Sequence, residues 1–238
     1  MGMCRRGSGS RCQELHYLRR IRRLGKLLLR SAWQAWQEYL CKRLQLRACM
    51  SSGIFCLQTH GSLFKFHPHV HALVLPGLVR ENLFHELRGC SATAVAVNFC
   101  SRFLNALQNQ KILDGDMVER LMSWNHNSGF NVHAGKPING ADGEAIERQA
   151  RYMSRAPLSV ERIHYLADDY SVTVDGGKSH AGAKNWTVPE FFALLAAPPA
   201  ATKARSPTTA FTAAVIAASV SVKTVKNESR GSLWRLCR

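Results

Sequence analysis

From residue 66 to residue 75 the chain reads Phe-His-Pro-His-Val-His-Ala-Leu-Val-Leu, and no other stretch restricts the fold so tightly. On a strand successive side chains point to opposite faces, so His69 and His71 share one face while Val70 enters the other. His67 has the same parity, although Pro68 can turn it away. Neither β-propensity nor core packing accounts for three histidines in five positions. Two imidazoles at neighbouring same-face positions are close enough to share one metal ion. Residues 53–58 read as a preceding strand and Thr59-His60-Gly61-Ser62 as the turn between them. A third ligand is expected from that neighbouring strand: Gln58 lies just before the turn, with His60 as its competitor. Two imidazoles and an amide oxygen leave coordination positions open, as a catalytic site requires and a closed structural site does not. Imidazole softness favours zinc, iron or manganese, whereas a phosphate substrate and waters favour Mg2+ or Mn2+.

Charge is distributed unevenly around this element. Residues 1–50 carry 12 basic and 2 acidic side chains, 51–197 carry 13 and 13, and 198–238 carry 7 and 1; the differences of 10, 0 and 6 account for the net charge of +16. A polyanionic partner, nucleic acid in the usual case, suits the two basic ends. Eight cysteines are present, but no two are separated by only two residues, so no zinc ribbon is encoded. The N-terminus has arginines without an apolar signal core, which predicts a reducing, cytoplasmic setting and free thiols. The most apolar run, 210–222, is too short to span a bilayer and is diluted by Thr and Ser.

These boundaries divide the chain into a basic helical segment (1–50), a neutral central domain (51–197) and a basic tail (198–238). Leu18, Ile21, Leu28, Ala32, Trp36 and Leu40 recur at helical spacing over 14–47, with Gly25 as a point of interruption. Further helices are expected at 80–88, 94–109, 115–124 and 142–154, and after Pro189. The strand from 66 is expected to end at Pro76-Gly77. Short strands are expected at 130–133 and, as a hairpin, at 159–166 and 170–174. The tail is rich in Ala, Thr, Ser and Val, shows no period and is expected to be poorly ordered. Antiparallel strand pairs mixed with helices predict an α+β fold with a mainly antiparallel sheet.

A second cluster lies at Glu147-Arg148-Gln149-Ala150-Arg151-Tyr152-Met153-Ser154-Arg155-Ala156-Pro157. Helical spacing puts Arg148, Arg151, Tyr152 and Arg155 on one face. A tyrosine among arginines ionises at lower cost and can serve as a nucleophile toward a phosphodiester. The bland reading is a helix-end tyrosine with solvated arginines, and for the cluster taken by itself that reading prevails.

Taken together, four motifs resemble a known family. They are Gln58-Thr59-His60-Gly61-Ser62; His67-Pro68-His69-Val70-His71; Ser123-Trp124-Asn125-His126 with Gly129-Phe130-Asn131-Val132-His133; and Ala150-Arg151-Tyr152 leading into Arg155-Ala156-Pro157-Leu158-Ser159. In order and spacing they are similar to the rolling-circle insertion-sequence transposases of the HUH (His-hydrophobic-His) tyrosine superfamily, over roughly residues 53–197. The resemblance implies a metal-dependent cleavage of single-stranded DNA at transposon ends, followed by strand transfer. Tyr152 would be the nucleophile, His69, His71 and a third ligand would hold a divalent metal, and Arg148, Arg151 and Arg155 would hold DNA. Some members of the family carry a second tyrosine one helical turn earlier, where this chain has Arg148. The family's cysteine-rich zinc domain is absent and the tail resembles nothing in it, so the resemblance implies a copy truncated or frame-disrupted at both ends. Two other classes fit parts of the pattern: a His-x-His metal-dependent hydrolase, and a catalytically inactive DNA-binding remnant.

Overall fold

The computed structural model describes residues 8–61, 66–123, 130–156, 158–176, 182–196 and 219–226. Its fold is α+β, as expected. By contacts the chain forms two compact units, one of residues 1–26, 59–67 and 156–212, the other of 27–58, 68–155 and 213–238.

Helix α1 (Ser8–Leu44) runs through Gly25 without a break. In the second unit its buried positions Leu28, Ala32, Ala35, Trp36, Tyr39 and Leu40 recur every three or four residues and make one apolar stripe. Strand β1 (Met50–His60) neighbours β2 (Phe66–Arg80) in the sheet. Their connection is too short for a crossover, so the two run antiparallel. Contrary to the expected strand end at Pro76-Gly77 and helix over 80–88, this region is a hairpin. The strand continues to Arg80, and β3 (Leu83–Glu86) folds back on it, with Arg80 opposite Leu83 and Gly77 opposite Glu86. Glu81 and Asn82 both hold left-handed backbone, φ 51° and 63°, which is the conformation of a two-residue hairpin turn. Pro76 is tolerated because its carbonyl accepts from Leu87 N–H at 2.7 Å, and the reciprocal N–H is the group proline lacks. Gly77 is required by close approach: a Cβ there would sit 2.4 Å from the His85 carbonyl oxygen and 2.5 Å from the Phe84 ring.

Helices α2 (Ala92–Asn109) and α3 (Gly115–Met122) start at Ser91 and Asp114, whose side chains accept from Ala94 N–H and Met117 N–H. Next come β4 (Asn131–Ala134), β5 (Ile138–Asn139) and α4 (Gly143–Met153), the last capped by Asp142. One side of the sheet is apolar. Val70, Ala72 and Val74 are buried on it, and Phe99 and Phe103 of α2 pack against Phe130 at ring separations of 5.7 and 6.1 Å. The Tyr39 hydroxyl accepts from Ser91 N–H at 2.8 Å, and Arg102 meets Glu38 at 2.7 Å, so α1 and α2 are joined at two points.

In the first unit a 3₁₀ turn (Val160–Arg162) leads into β6 (Ile163–Leu166), β7 (Ser171–Val174) and β8 (Lys184–Thr187), an antiparallel three-stranded sheet. The expected hairpin is present. The third strand escaped the sequence reading because Lys184-Asn185-Trp186-Thr187 has one apolar residue and hence no alternation to read. Helix α5 (Val188–Ala196) closes over Val172 and Val174 with Phe191. Its start is a capping box: Glu190 Oε2 accepts from Thr187 N–H at 2.9 Å, and Thr187 Oγ1 accepts from Glu190 N–H at 3.4 Å.

One segment of 198–238 departs from its reading as poorly ordered. Strand β9 (Ser219–Lys226) lies between β2 and β4, parallel to both. Its sequence Ser-Val-Ser-Val-Lys-Thr-Val-Lys does alternate with period two, but the signal is one short strand among Ala, Ser and Thr. The rest of the tail lies outside the described residues.

Candidate active site

β2 delivers the two central histidines as its alternation requires. The His69 and His71 Nε2 atoms are 3.1 Å apart, their rings edge to face at a centroid distance of 4.8 Å. His71 is buried, and burial together with the neighbouring His69 pushes its pKa down to about 4. It is therefore neutral at neutral pH and keeps a lone pair for a ligand. The spacing suits one shared cation. Metal–nitrogen bonds of roughly 2.0–2.1 Å put two ligands of one ion about 2.9 Å apart at a right angle and about 3.3 Å apart at the tetrahedral angle. The observed 3.1 Å falls between these values. Without a cation the same separation serves a hydrogen bond in which one imidazole N–H donates to the other.

Tyr152, on the last turn of α4, comes to this pair from across the fold. Its ring meets that of His71 edge on, 5.2 Å between centroids at 76°, while the side chain stays about half exposed at 53 %. Gln58 lies at the same place. Its Nε2 donates to the Met153 carbonyl at 3.1 Å and more weakly to that of Tyr152 at 3.5 Å, tying β1 to the C-terminal end of α4. The amide nitrogen is thus spent on the helix end, and Oε1 is the atom Gln58 has to offer a metal. Among the described residues no group of three or more His, Cys, Asp or Glu side chains is placed to hold an ion. His60 and His67 belong to the other compact unit.

Arg148, Arg151 and Tyr152 keep on α4 the three- and four-residue spacing of one helical face. Arg148 pairs with Glu144 at 3.5 Å and Arg151 with Glu147 at 2.6 Å, each one turn back along α4 and exposed. Arg155 is off the helix altogether, which corrects the sequence reading. Helix α4 ends at Met153, where Ser154 N–H and hydroxyl both donate to the Ala150 carbonyl at 3.0 Å, and Arg155 N–H turns back to the Tyr152 carbonyl at 3.4 Å. The helix thus ends one turn after Gln149, and Arg155 follows it on the outgoing chain.

The structure adds two residues to this face. Across β9, His69 is in register with Ser219 and Asn131, and His71 with Ser221 and His133. Asn131-Val132-His133-Ala134 repeats the alternation of His69-Val70-His71-Ala72 two strands away, roughly 10 Å across the sheet. This likeness is legible in the sequence, yet only the intervening strand puts both segments on one polar face.

The α+β domain thus presents paired imidazoles on its sheet beside an exposed tyrosine. Residues 53–193 match the model of a protein family described as "Putative transposase". The match covers more than half of the chain, and the chain belongs to this family of transposases. Its general function is thus DNA transposition, with DNA as partner. No curated protein and no solved structure matches it. No helix among the described residues is long and apolar enough to cross a membrane.

Proposed function

We propose that the protein is an HUH-type rolling-circle transposase that cuts and rejoins single-stranded DNA at transposon ends through a 5′-phosphotyrosine on Tyr152, in the cytoplasm. The observation that carries this reading is the meeting of Tyr152 with the imidazole pair, residues about eighty positions apart in sequence and 5.2 Å apart between rings. His69, His71 and Gln58 would hold Mg2+ or Mn2+, which when bound supplies Lewis-acid polarisation of the scissile phosphate. Tyr152 Oη attacks phosphorus, loses its proton to solvent and forms the new P–O bond. The bond to the 3′ oxygen breaks, and that oxygen takes up a proton to leave as a free hydroxyl. Because the ester keeps the energy of the broken bond, a second 3′-hydroxyl can reverse the exchange without a nucleotide cofactor. Gln58 sets the distance between strand and helix by its bond to the Met153 carbonyl. Arg148, Arg151 and Arg155 line the approach as phosphate contacts, the first two after exchanging their glutamate partners. Residues 51–197 make the catalytic domain on this reading, and the basic segments 1–50 and 198–238 add affinity without sequence preference.

Incubating the protein with assorted single-stranded oligonucleotides and Mn2+, then mapping any covalent adduct by mass spectrometry, tests this. The expected result is a nucleotide on Tyr152, lost in Tyr152→Phe although that protein keeps its fold and metal binding. A nucleotide on Tyr165 or Tyr170 overturns the assignment. Metal-dependent cleavage with no adduct supports a hydrolase, and salt-sensitive binding with no cleavage supports a DNA-binding protein without catalysis.

A further inference from the structure

At the opposite end of β1 from Gln58, roughly 26 Å along the strand, two cysteine sulfurs lie in contact. Cys41 Sγ, on the last turn of α1, is 3.4 Å from Cys49 Sγ, which directly precedes β1. The chain between them is shaped to bring this about. Leu46 N–H donates to the Cys41 carbonyl at 3.2 Å, and Gln45 and Ala48 hold left-handed backbone at φ 54° and 52°, a region that residues with a Cβ seldom adopt. Gln37 then clamps both cysteines. Its Nε2 donates to the Cys49 carbonyl at 2.8 Å and to Cys41 Sγ at 3.5 Å, while its Oε1 accepts from Ser51 N–H at 2.7 Å. Both thiols are free and only half-buried, so a small oxidant reaches them. A disulfide would bring the two sulfurs from 3.4 Å to the bonding distance of about 2.05 Å.

We propose that Cys41 and Cys49 form a redox modification site that closes to an intramolecular disulfide on exposure to a peroxide. One thiolate attacks the peroxide, the O–O bond breaks and an S–O bond forms, giving a sulfenic acid and water. The second thiol displaces that oxygen as water, the S–O bond breaks and the S–S bond forms. Two thiols lose two electrons and two protons in all, and one hydrogen peroxide becomes two waters. The product staples the end of α1 to the start of β1, and a dithiol reverses it. The inference does not depend on the catalytic reading, since the pair touches none of the residues assigned to it. Burial pushes the thiols of Cys49 and Cys100 up alike, that of Cys100 to about 11; what sets the pair apart is access, since Cys100 is buried and Cys41 and Cys49 are half-buried.

The test uses the full chain, treated with an equivalent of hydrogen peroxide, alkylated and digested with trypsin without reduction. The expected product joins peptide 31–42 to peptide 48–65, disappears on reduction, and forms at least about tenfold faster in the folded protein than in urea. Peptide 48–65 also contains Cys56. Fragmentation of the wild-type product therefore places the bond, and Cys56→Ser retains it whereas Cys49→Ser does not. A bond through Cys56 or any other cysteine, an equal rate in urea, or sulfinic acid at Cys41 with no link would each overturn the proposal.

Discussion

His71 and Gln58 bear on the same site through different bonds, so their substitutions should differ in kind. His71→Ala removes an imidazole that burial already keeps neutral. It is expected to weaken Mn2+ binding by more than the roughly 10–100-fold that loss of a supporting hydrogen bond costs a metal site, as calorimetric titration would read. Gln58 holds the carbonyl of Met153 with its nitrogen and has only its oxygen for a cation. Gln58→Glu keeps the oxygen and loses the donor. Mn2+ affinity should be retained or raised in that variant, while thermal unfolding should show a loss of about 1 kcal/mol from the missing bond to the helix end. A fall in Mn2+ affinity equal to that of Gln58→Ala would remove Gln58 from the ligand set.

Single positions decide whole elements at two further places. At Gly77 an added methyl meets a backbone oxygen and an aromatic ring, neither able to withdraw cheaply. Gly77→Ala should lower stability by about 1–3 kcal/mol, read from the denaturant midpoint, and an unchanged midpoint would mean that β3 is free to move off β2. Between α1 and α2 the carboxylate of Glu38 is bonded to Lys42 at 2.8 Å and to Arg102 at 2.7 Å. The Lys42 bond, and after it that of Arg102, hold its pKa below 4.5 against the opposing effect of burial. A carboxyl whose pKa is lower folded than unfolded stabilises the fold above the unfolded value, and that contribution is lost as pH falls through the folded one. Stability measured from pH 6 down through pH 4 should therefore drop less steeply in Glu38→Gln than in the parent, with a difference of about 1 kcal/mol or less, since the pair is partly exposed.

For the molecule as a whole the decisive element is β9, because among the described residues β2 and β4 are joined through it and not by a ladder of their own. A chain ended at Ala218 should lose sheet content by circular dichroism and unfold at lower denaturant. One ended at Asn227 keeps β9 and should melt like the parent. Equal stability of the two would show that β2 and β4 hold together without that strand. Losing 228–238 should instead weaken binding to nonspecific DNA and lower its salt dependence, because Arg230, Arg235 and Arg238 leave with it.

Much of this molecule follows from local sequence. The three-to-four spacing of Leu28, Ala32, Ala35, Trp36 and Leu40 makes α1; Ser91, Asp114 and Asp142 start α2, α3 and α4; and the alternation through His69, Val70 and His71 makes a strand with both imidazoles on one face. Each is set by torsions and hydrogen bonds within a few residues, so a single chain suffices to read it. Other features are set by groups distant in sequence. Pro76 and Gly77 look like a strand end until β3 folds back on them, and 80–88 looks helical until Glu81 and Asn82 take the left-handed turn. Arg155 lies beyond α4 because the helix closes on Ser154. The contact of Tyr152 with His71, the bond from Gln58 to Met153 and the register that aligns His133 with His71 exist only once strands and helix have packed. Their residues were open to identification from the chain, but their distances belong to the tertiary structure, since a side chain's partner across a sheet is chosen by register and burial and not by its own neighbours.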